Sequence, residues 1–470
     1  MSGGAALRVV GLRVLGILST SHRPVSGSEF SHSFDELRQI AQDVLDHARA
    51  KGASAAETEA SEGFGQSVTV RRGEPETIEY NRDKGVGVTV YIGRQRGHAS
   101  TSDFGRSAVR DTVEAALSIA RFTAVDEAAG LADEALLARN IADLDLYHPW
   151  LLPVDDAIAL ARECEAAALA VDPRITNSEG ASVSTQQSHF AYGNTLGFLS
   201  GYPGSRHTIM CSVIAGEGDA MQRDDWYTVA RAHTELEDAV EVGRRAGQRC
   251  VRRLGARKLA TMQTPVLFEA PVASSLLGHF VGAVSGGSLY RKASFLLDSL
   301  GQQVFSAPVR IHDVPDLKRG LASSPFDDEG VATHRRDIVQ HGVLQGYFLG
   351  SYAARKLGMT STGNAGGNHN LILDSTGEDF PGLLKKMGRG LLVTELLGMG
   401  VNQVTGDYSR GAAGFWVEGG EIAYPVQEIT IAGDLKDMFR GIVAVGNDAV
   451  VRGSRQCGSI LVDRMTIAGQ

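Results

Sequence analysis

Cysteine is scarce in this chain, with four in 470 residues, and Cys164, Cys211, Cys250 and Cys457 stand far apart. No CxxC pair occurs, which argues against both a disulfide framework and a structural zinc knuckle and fits a reducing compartment, the cytoplasm. Positive charge is also in deficit: 46 Lys and Arg face 55 Asp and Glu, a formal net charge of −9. Nucleic acid is therefore not expected as a general partner, since phosphate neutralisation needs an excess of clustered cations. No stretch approaches the roughly 20 apolar residues of a membrane span, so no membrane association is expected. The run LRVVGLRVLGIL (7–18) has the flavour of a signal-peptide core, but Arg8 and Arg13 break or border it and no small-residue cleavage site follows. Residues 1–32 are read as a loose extension.

Several catalytic signatures are missing as well. The chain has no GxxxxGK[ST] phosphate loop, no GxGxxG dinucleotide fingerprint and no GxSxG nucleophile elbow. A zinc peptidase needs imidazole or thiolate ligands and a carboxylate beside them, usually two His one helical turn apart with Glu next to the first. None of the 13 His is directly followed by Glu, and no pair is spaced one helical turn apart to put both rings on one helix face at a metal. An autonomous zinc peptidase of that type is excluded, and no catalytic residue is assigned.

Glycine is what the chain has in abundance, 56 copies that gather after residue 180; many tight turns between short strands follow from that. A chain of this length exceeds what one core usually serves, so two domains are expected, 33–258 and 259–470. The first opens with a capping box at Ser33 and Glu36 and an apolar stripe from Leu37 to Ala48. Alternating segments at 66–72, 76–80, 85–93 and 96–102 read as an antiparallel meander. Helices are expected at about 107–122, 153–171 and 234–254, the last started by Thr234 and Glu237. After a strand at 264–270 and a small-residue helix at 271–284, β-like pieces follow at 342–350, 389–398, 414–433 and 458–469, with a hairpin turn at Glu418–Glu421. The fold class is α+β: an N-terminal α/β domain with meander and helices, then a C-terminal β-rich, largely antiparallel sheet or barrel.

Three local features invite chemistry. Arg244, Arg245, Arg249, Arg252, Arg253, Arg257 and Lys258 form a run without acids, either a nucleic-acid contact or the cationic end and solvated face of a helix. GNAGGNHN (363–370) is either a backbone anion nest or a plain glycine turn. Ser409 with Arg410 in DYSRGAAGFW is a nucleophile candidate that lacks a nearby His in sequence.

The runs SFLLDSLGQQVF (294–305), SSPFDDEGVATHRRDIVQHGVLQGYFLGSYAARKLGMTSTGNAGG (323–367) and GDYSRGAAGFWVEGGEIAYPVQEITIAGDLKDMFRGIVAVGNDAV (406–450) closely resemble the TldD/PmbA family, and within it the PmbA (TldE) branch. The resemblance spans about residues 35–470. It implies a cytoplasmic protein linked to microcin maturation, antitoxin turnover and modulation of DNA gyrase. In the TldD branch a His-Glu-x-x-x-His helix and a later Cys bind zinc. The PmbA branch pairs with that catalytic subunit as a heterodimeric peptidase for extended, unfolded peptides, a homodimer being open when the partner is absent.

Carried onto this chain, the zinc helix falls at SSLLGHFVGAVSGGSLYRK (274–292), which offers only His279, with Phe280 where the Glu would stand. Cys457 follows VGND (445–448) at about the spacing of the ligand Cys. Both are either remnants of a metal site or ordinary packed residues. The resemblance thus implies no cofactor in this chain and zinc in a TldD-type partner. An unfolded peptide is expected against an exposed edge of the C-terminal sheet, with Tyr290, Arg291, Tyr408, Ser409, Arg410 and Trp416 as candidate wall residues. Two other readings stay open: a non-proteolytic regulatory protein acting on DNA gyrase, and a hydrolase using Cys457 or Ser409.

Overall fold

Strict alternation of buried and accessible side chains builds the first sheet. The computed structural model describes residues 30–469, so most of the extension expected at 1–32 lies outside the described residues. Seven antiparallel strands, β1 (Ala55–Arg71), β2 (Glu74–Ile92), β3 (Gln95–Thr101), β4 (Ile175–Asn194), β5 (Leu199–Ser200), β6 (Pro203–Ala215) and β7 (Gln222–Ala230), take the order β3-β2-β1-β4-β6-β7, with β5 on β4. The even-numbered residues of β1 are buried, among them Ala56, Ala60, Val68 and Val70. Helices α1 (Phe34–Ala50) and α2 (Arg106–Phe122) share one core with this sheet, while α3 (Val154–Leu169) and α4 (Ala239–Arg252) share another. The Ser33–Glu36 capping box is formed. At Gly243 a Cβ would stand 1.8 Å from the Cys164 carbonyl oxygen, so only glycine permits the close approach of α3 and α4.

Two expectations are corrected here. The fourth helix begins at Ala239, not Thr234, because the Asp238 carboxylate accepts the Val240 and Glu241 amides at 3.0 and 3.3 Å; Thr234 lies in a 3-10 turn, His233–Glu235. The meander strands are also longer than their apolar segments. β1 starts at Ala55, and its polar Glu62, 2 % exposed, is satisfied by the Ser31 and His32 amides at 2.7 and 3.0 Å.

From Met262 the architecture changes. The strands are β8 (Met262–Phe268), β9 (Ile311–Val314), β10 (Arg336–Gln340), β11 (Val343–Leu344), β12 (Asn370–Leu373), β13 (Gly390–Leu397), β14 (Asp407–Glu418), β15 (Glu421–Asp434), β16 (Ile442–Val445), β17 (Arg455–Gln456) and β18 (Ile460–Ala468). β15-β14-β13-β8-β18 form a row that β15 closes by pairing with β18, a five-stranded barrel with β16 added on β18. The expected hairpin turn is present, with Gly419 and Gly420 at φ +60° and +79° as a tight two-residue loop requires. A small sheet, β11-β10-β9-β12-β17, leans on the barrel. The 342–350 segment forms only the short β11, because Tyr347, Phe348 and Leu349 are buried in succession rather than in alternation.

Barrel closure has a cost for one expectation. Each of the five ring strands has a neighbour on both sides, and Arg257 bonds to the outer side of β15 at Pro425 and Gln427. The edge expected on the C-terminal sheet is therefore largely consumed. Among the described residues the long open edge belongs to β2: β3 covers it only from Val86 onward, and Glu74–Lys84 are all exposed. No helix among the described residues is long and apolar enough to cross a membrane.

Candidate functional site

Helix α5 (Ala270–Ala283) sits where the resemblance places a zinc helix. Ala273, Leu276, Leu277, Phe280 and Ala283 face the core, and this periodicity turns Ser274, Ser275, Gly278, His279 and Gly282 outward. The two glycines let side chains lie flat on the helix. A Cβ on Gly278 would stand 2.6 Å from Arg455 Nη1, and one on Gly282 would stand 3.1 Å from Gln403 Nε2. Gln403 Nε2 donates to the His279 carbonyl at 2.8 Å. Strand β14 brings Tyr408, whose ring meets His279 edge-on at 5.9 Å. Tyr408 and Arg410 share a face of β14, whereas Ser409 between them points away; no Ser409–His279 dyad is built.

The electrostatics of this face are positive. Burial first, then the charges of Arg410 and Arg455, hold the His279 imidazole below its ordinary pKa. Burial pushes the Tyr408 hydroxyl up to about 12, against the opposing pull of Arg410. The Cys457 thiol, 1 % exposed, is likewise pushed up to about 12, by burial and then by Asp448. At neutral pH this shift favours the protonated, weakly nucleophilic thiol. His279 Nε2, Tyr408 Oη and Arg410 Nε have no hydrogen bond of proper geometry. Among the described residues no three His, Cys, Asp or Glu side chains gather as a metal cage. One neutral imidazole flanked by two guanidinium groups does not fit a zinc ion.

The other wall candidates divide. Tyr290 is half-buried and Arg291 exposed, joined by an Nη1–Oη bond of 3.1 Å. Trp416 is no wall residue: at 2 % exposure it belongs to the barrel core, and its Nε1 donates to Glu418 at 2.9 Å. Arg455 and Gln403 escaped the sequence reading. Their signal was the Gly278–Gly282 spacing, which marks a close approach on one helix face without naming what approaches.

The remaining sequence features resolve into structure. Arg249 bridges Asp224 and Glu269 at 3.0 and 2.8 Å, Arg252 also reaches Glu269, and Arg253 pairs with Asp224 and Glu395. Arg244 and Arg245 hold Glu241, Lys258 holds Glu428, and Arg257 stacks on Tyr424. Acids from other elements meet Arg249, Arg252, Arg253 and Lys258, and Glu241 of the same helix meets Arg244 and Arg245, so most of the cationic run is neutralised. The glycine-rich 363–370 turn is filled by the chain's own carboxylates: Asp327 accepts the Ala365 amide and Asp313 the His369 amide, both at 2.9 Å.

A cleft of about 700 Å³ separates the odd-numbered face of β1 from the loop around Asp328. Glu57, Glu59, Asp328 and Glu329 line it together with Arg96. Glu57 accepts the hydroxyls of Tyr91 and Tyr192 at 2.9 and 3.0 Å, yet burial, with Glu329 adding to it and Arg96 opposing it, raises its pKa. A carboxyl raised in the folded state subtracts stability as pH climbs from the ordinary glutamate range through the raised value. Glu57→Gln is therefore expected to gain melting temperature relative to the parent at pH 8 compared with pH 5. Thermal scans at both pH values check this, and a pH-independent difference would contradict it.

Three family models match the chain: PmbA/TldA metallopeptidase domain 1 over residues 56–120, the central domain over 147–254 and the C-terminal domain over 261–469. The chain is 51 % identical over 434 residues to Metalloprotease PmbA of Escherichia coli O157:H7, covering 92 % of this chain and 96 % of that one. It is 49 % identical over 435 residues to the Metalloprotease PmbA homolog of Haemophilus influenzae, again 92 % and 96 %. A crystal structure from Bacteroides thetaiotaomicron, described as a candidate modulator of DNA gyrase, superposes with TM-score 0.88 at 27 % identity over 93 % of this chain and 100 % of that one. TldE from Thermococcus kodakarensis shares the fold, with TM-score 0.81 at 18 % identity over 92 % and 100 %.

Proposed function

The chain belongs to the PmbA/TldA metallopeptidase family, and from that premise we propose that it is the PmbA/TldE-type subunit of a cytoplasmic peptidase whose zinc is carried by a TldD-type partner. The observation that carries the reading is the α5 face. Water activation by zinc needs about three protein donors and a carboxylate base, and here one imidazole of lowered pKa stands beside Arg410 and Arg455. The partner provides the metal-bound water; this chain provides part of the channel that holds an extended peptide. Tyr290, Arg291, Ser409 and Arg410 keep accessible surface and remain wall candidates, while Tyr408, 1 % exposed, is buried next to Arg410 and leaves the wall. Microcin and antitoxin peptides, implied by the resemblance, are the substrate class this reading assigns.

The test is reconstitution. The purified chain alone is expected to hold no stoichiometric zinc and to leave an unfolded peptide intact, while the mixture with a TldD-type protein cleaves it and loses activity to a chelator. Zinc-dependent cleavage by the chain alone would sink the proposal. The gyrase-directed alternative drew its local support from the 244–258 arginines, and their ion pairs leave little free charge for a nucleic-acid contact.

A further inference from the structure

We propose that the outer face of α5 is a carboxylate-binding site that receives the C-terminal carboxylate of the extended peptide; the inference rests on the peptidase-subunit reading above. Its basis is uncompensated positive charge. Arg249, Arg253 and Arg319 each hold two acidic partners. Arg410 and Arg455 have no ion pair among the described residues, and both are only half-buried. They converge on His279, whose imidazole feels both charges.

The donor arrangement is open. His279 Nε2 is shielded from solvent without a hydrogen-bond partner, and beside it the Tyr408 hydroxyl, on a residue 1 % exposed, has only Arg410 to interact with, in poor geometry. Leaving such groups unmatched is costly, and an anion between them would satisfy several at once. Guanidinium forks suit a planar carboxylate, which accepts two parallel N–H bonds. Gly278, Gly282 and Ser275 keep the floor low, so the ligand meets Arg455 and Gln403 rather than bulky helix side chains. The same charges repel a metal cation or a peptide ammonium, which fixes the polarity of the peptide: its carboxyl end faces α5.

The experiment uses the complex reconstituted with a TldD-type partner and two probes, an N-acetylated unfolded hexapeptide with a free C-terminal carboxylate and the same peptide as its C-terminal amide. The free acid is expected to be cleaved with kcat/KM higher on the order of tenfold. Arg410→Gln and Arg455→Gln, with melting temperatures confirming folding, are expected to bring the ratio of the two peptides close to one. Equal turnover of acid and amide by the unaltered complex overturns the carboxylate site and leaves the subunit reading standing. Cleavage of neither peptide overturns the subunit reading. The site is then decided by NMR titration of His279 in the chain alone: saturating acetate raises its pKa in the parent but not in Arg410→Gln, and no rise in the parent overturns the site.

Discussion

Glu269→Ala is expected to destabilise the protein by about 3 kcal/mol, the low end of the range for breaking a buried ion pair by removing one partner. Glu269 receives Arg249 at 2.8 Å and Arg252 at 3.1 Å, with Arg249 and Glu269 side chains only 11 % and 13 % exposed. Deleting the carboxylate strands the Arg249 charge on Asp224 alone, which Arg253 also uses. The brace matters beyond its own energy because it joins α4, the last helix packed on the first sheet, to the residue that begins α5. Urea unfolding followed by tryptophan fluorescence reads the effect, since the Arg249 guanidinium lies 5.5 Å from the Trp226 ring centre. A midpoint unchanged from the parent would show that the pair contributes nothing. Arg249→Ala should cost less, because Glu269 then keeps Arg252 and Asp224 keeps Arg253.

Trp416→Ala is expected to cost about 3–5 kcal/mol, as for other large-to-small changes of a buried aromatic. Trp416 is 2 % exposed in the main core cluster of the barrel half, beneath Arg389 at 5.4 Å. The loss should appear in denaturation and in expression yield. Trp416→Phe should restore much of the packing while leaving Glu418 without its indole donor. A stable Trp416→Ala protein with selectively weakened peptide turnover would instead return this residue to the substrate wall.

What was legible in the sequence follows from range. The Ser33 capping box, the helices near 107–122 and 271–284 and the Gly419–Gly420 hairpin are encoded by residues a few positions apart, and they appear as expected. β1 was half missed because Ala, Glu, Ser and Gly have weak strand preference; the strand exists through pairing on both sides with β2 and β4, which no local window contains. The same limit explains the arginine run: its acids, Asp224, Glu269 and Glu395, come from three other elements. His279, Tyr408 and Arg410 were each singled out from sequence, yet only the barrel puts them side by side. Arg455 joins them because β17 pairs with β12 beside α5. The Trp416 reading failed for a simpler reason, since a wall and a core both favour an aromatic residue.

The uncovered side of β2 sets the conditions under which this molecule stays dispersed. Twelve residues of strand whose outer side has no neighbour among the described residues, about 40 Å of backbone, would zip onto any similar segment at high concentration. Pro75 contributes no amide hydrogen there, and Glu74, Glu76, Glu79 and Asp83 give the stretch an acidic excess over Arg82 and Lys84. Mutual repulsion between copies then acts as the guard. Neutralising those acids, by mutation or by acidic buffer, would turn a quiet border into a sticking point, with concentration rather than temperature limiting how the protein is handled.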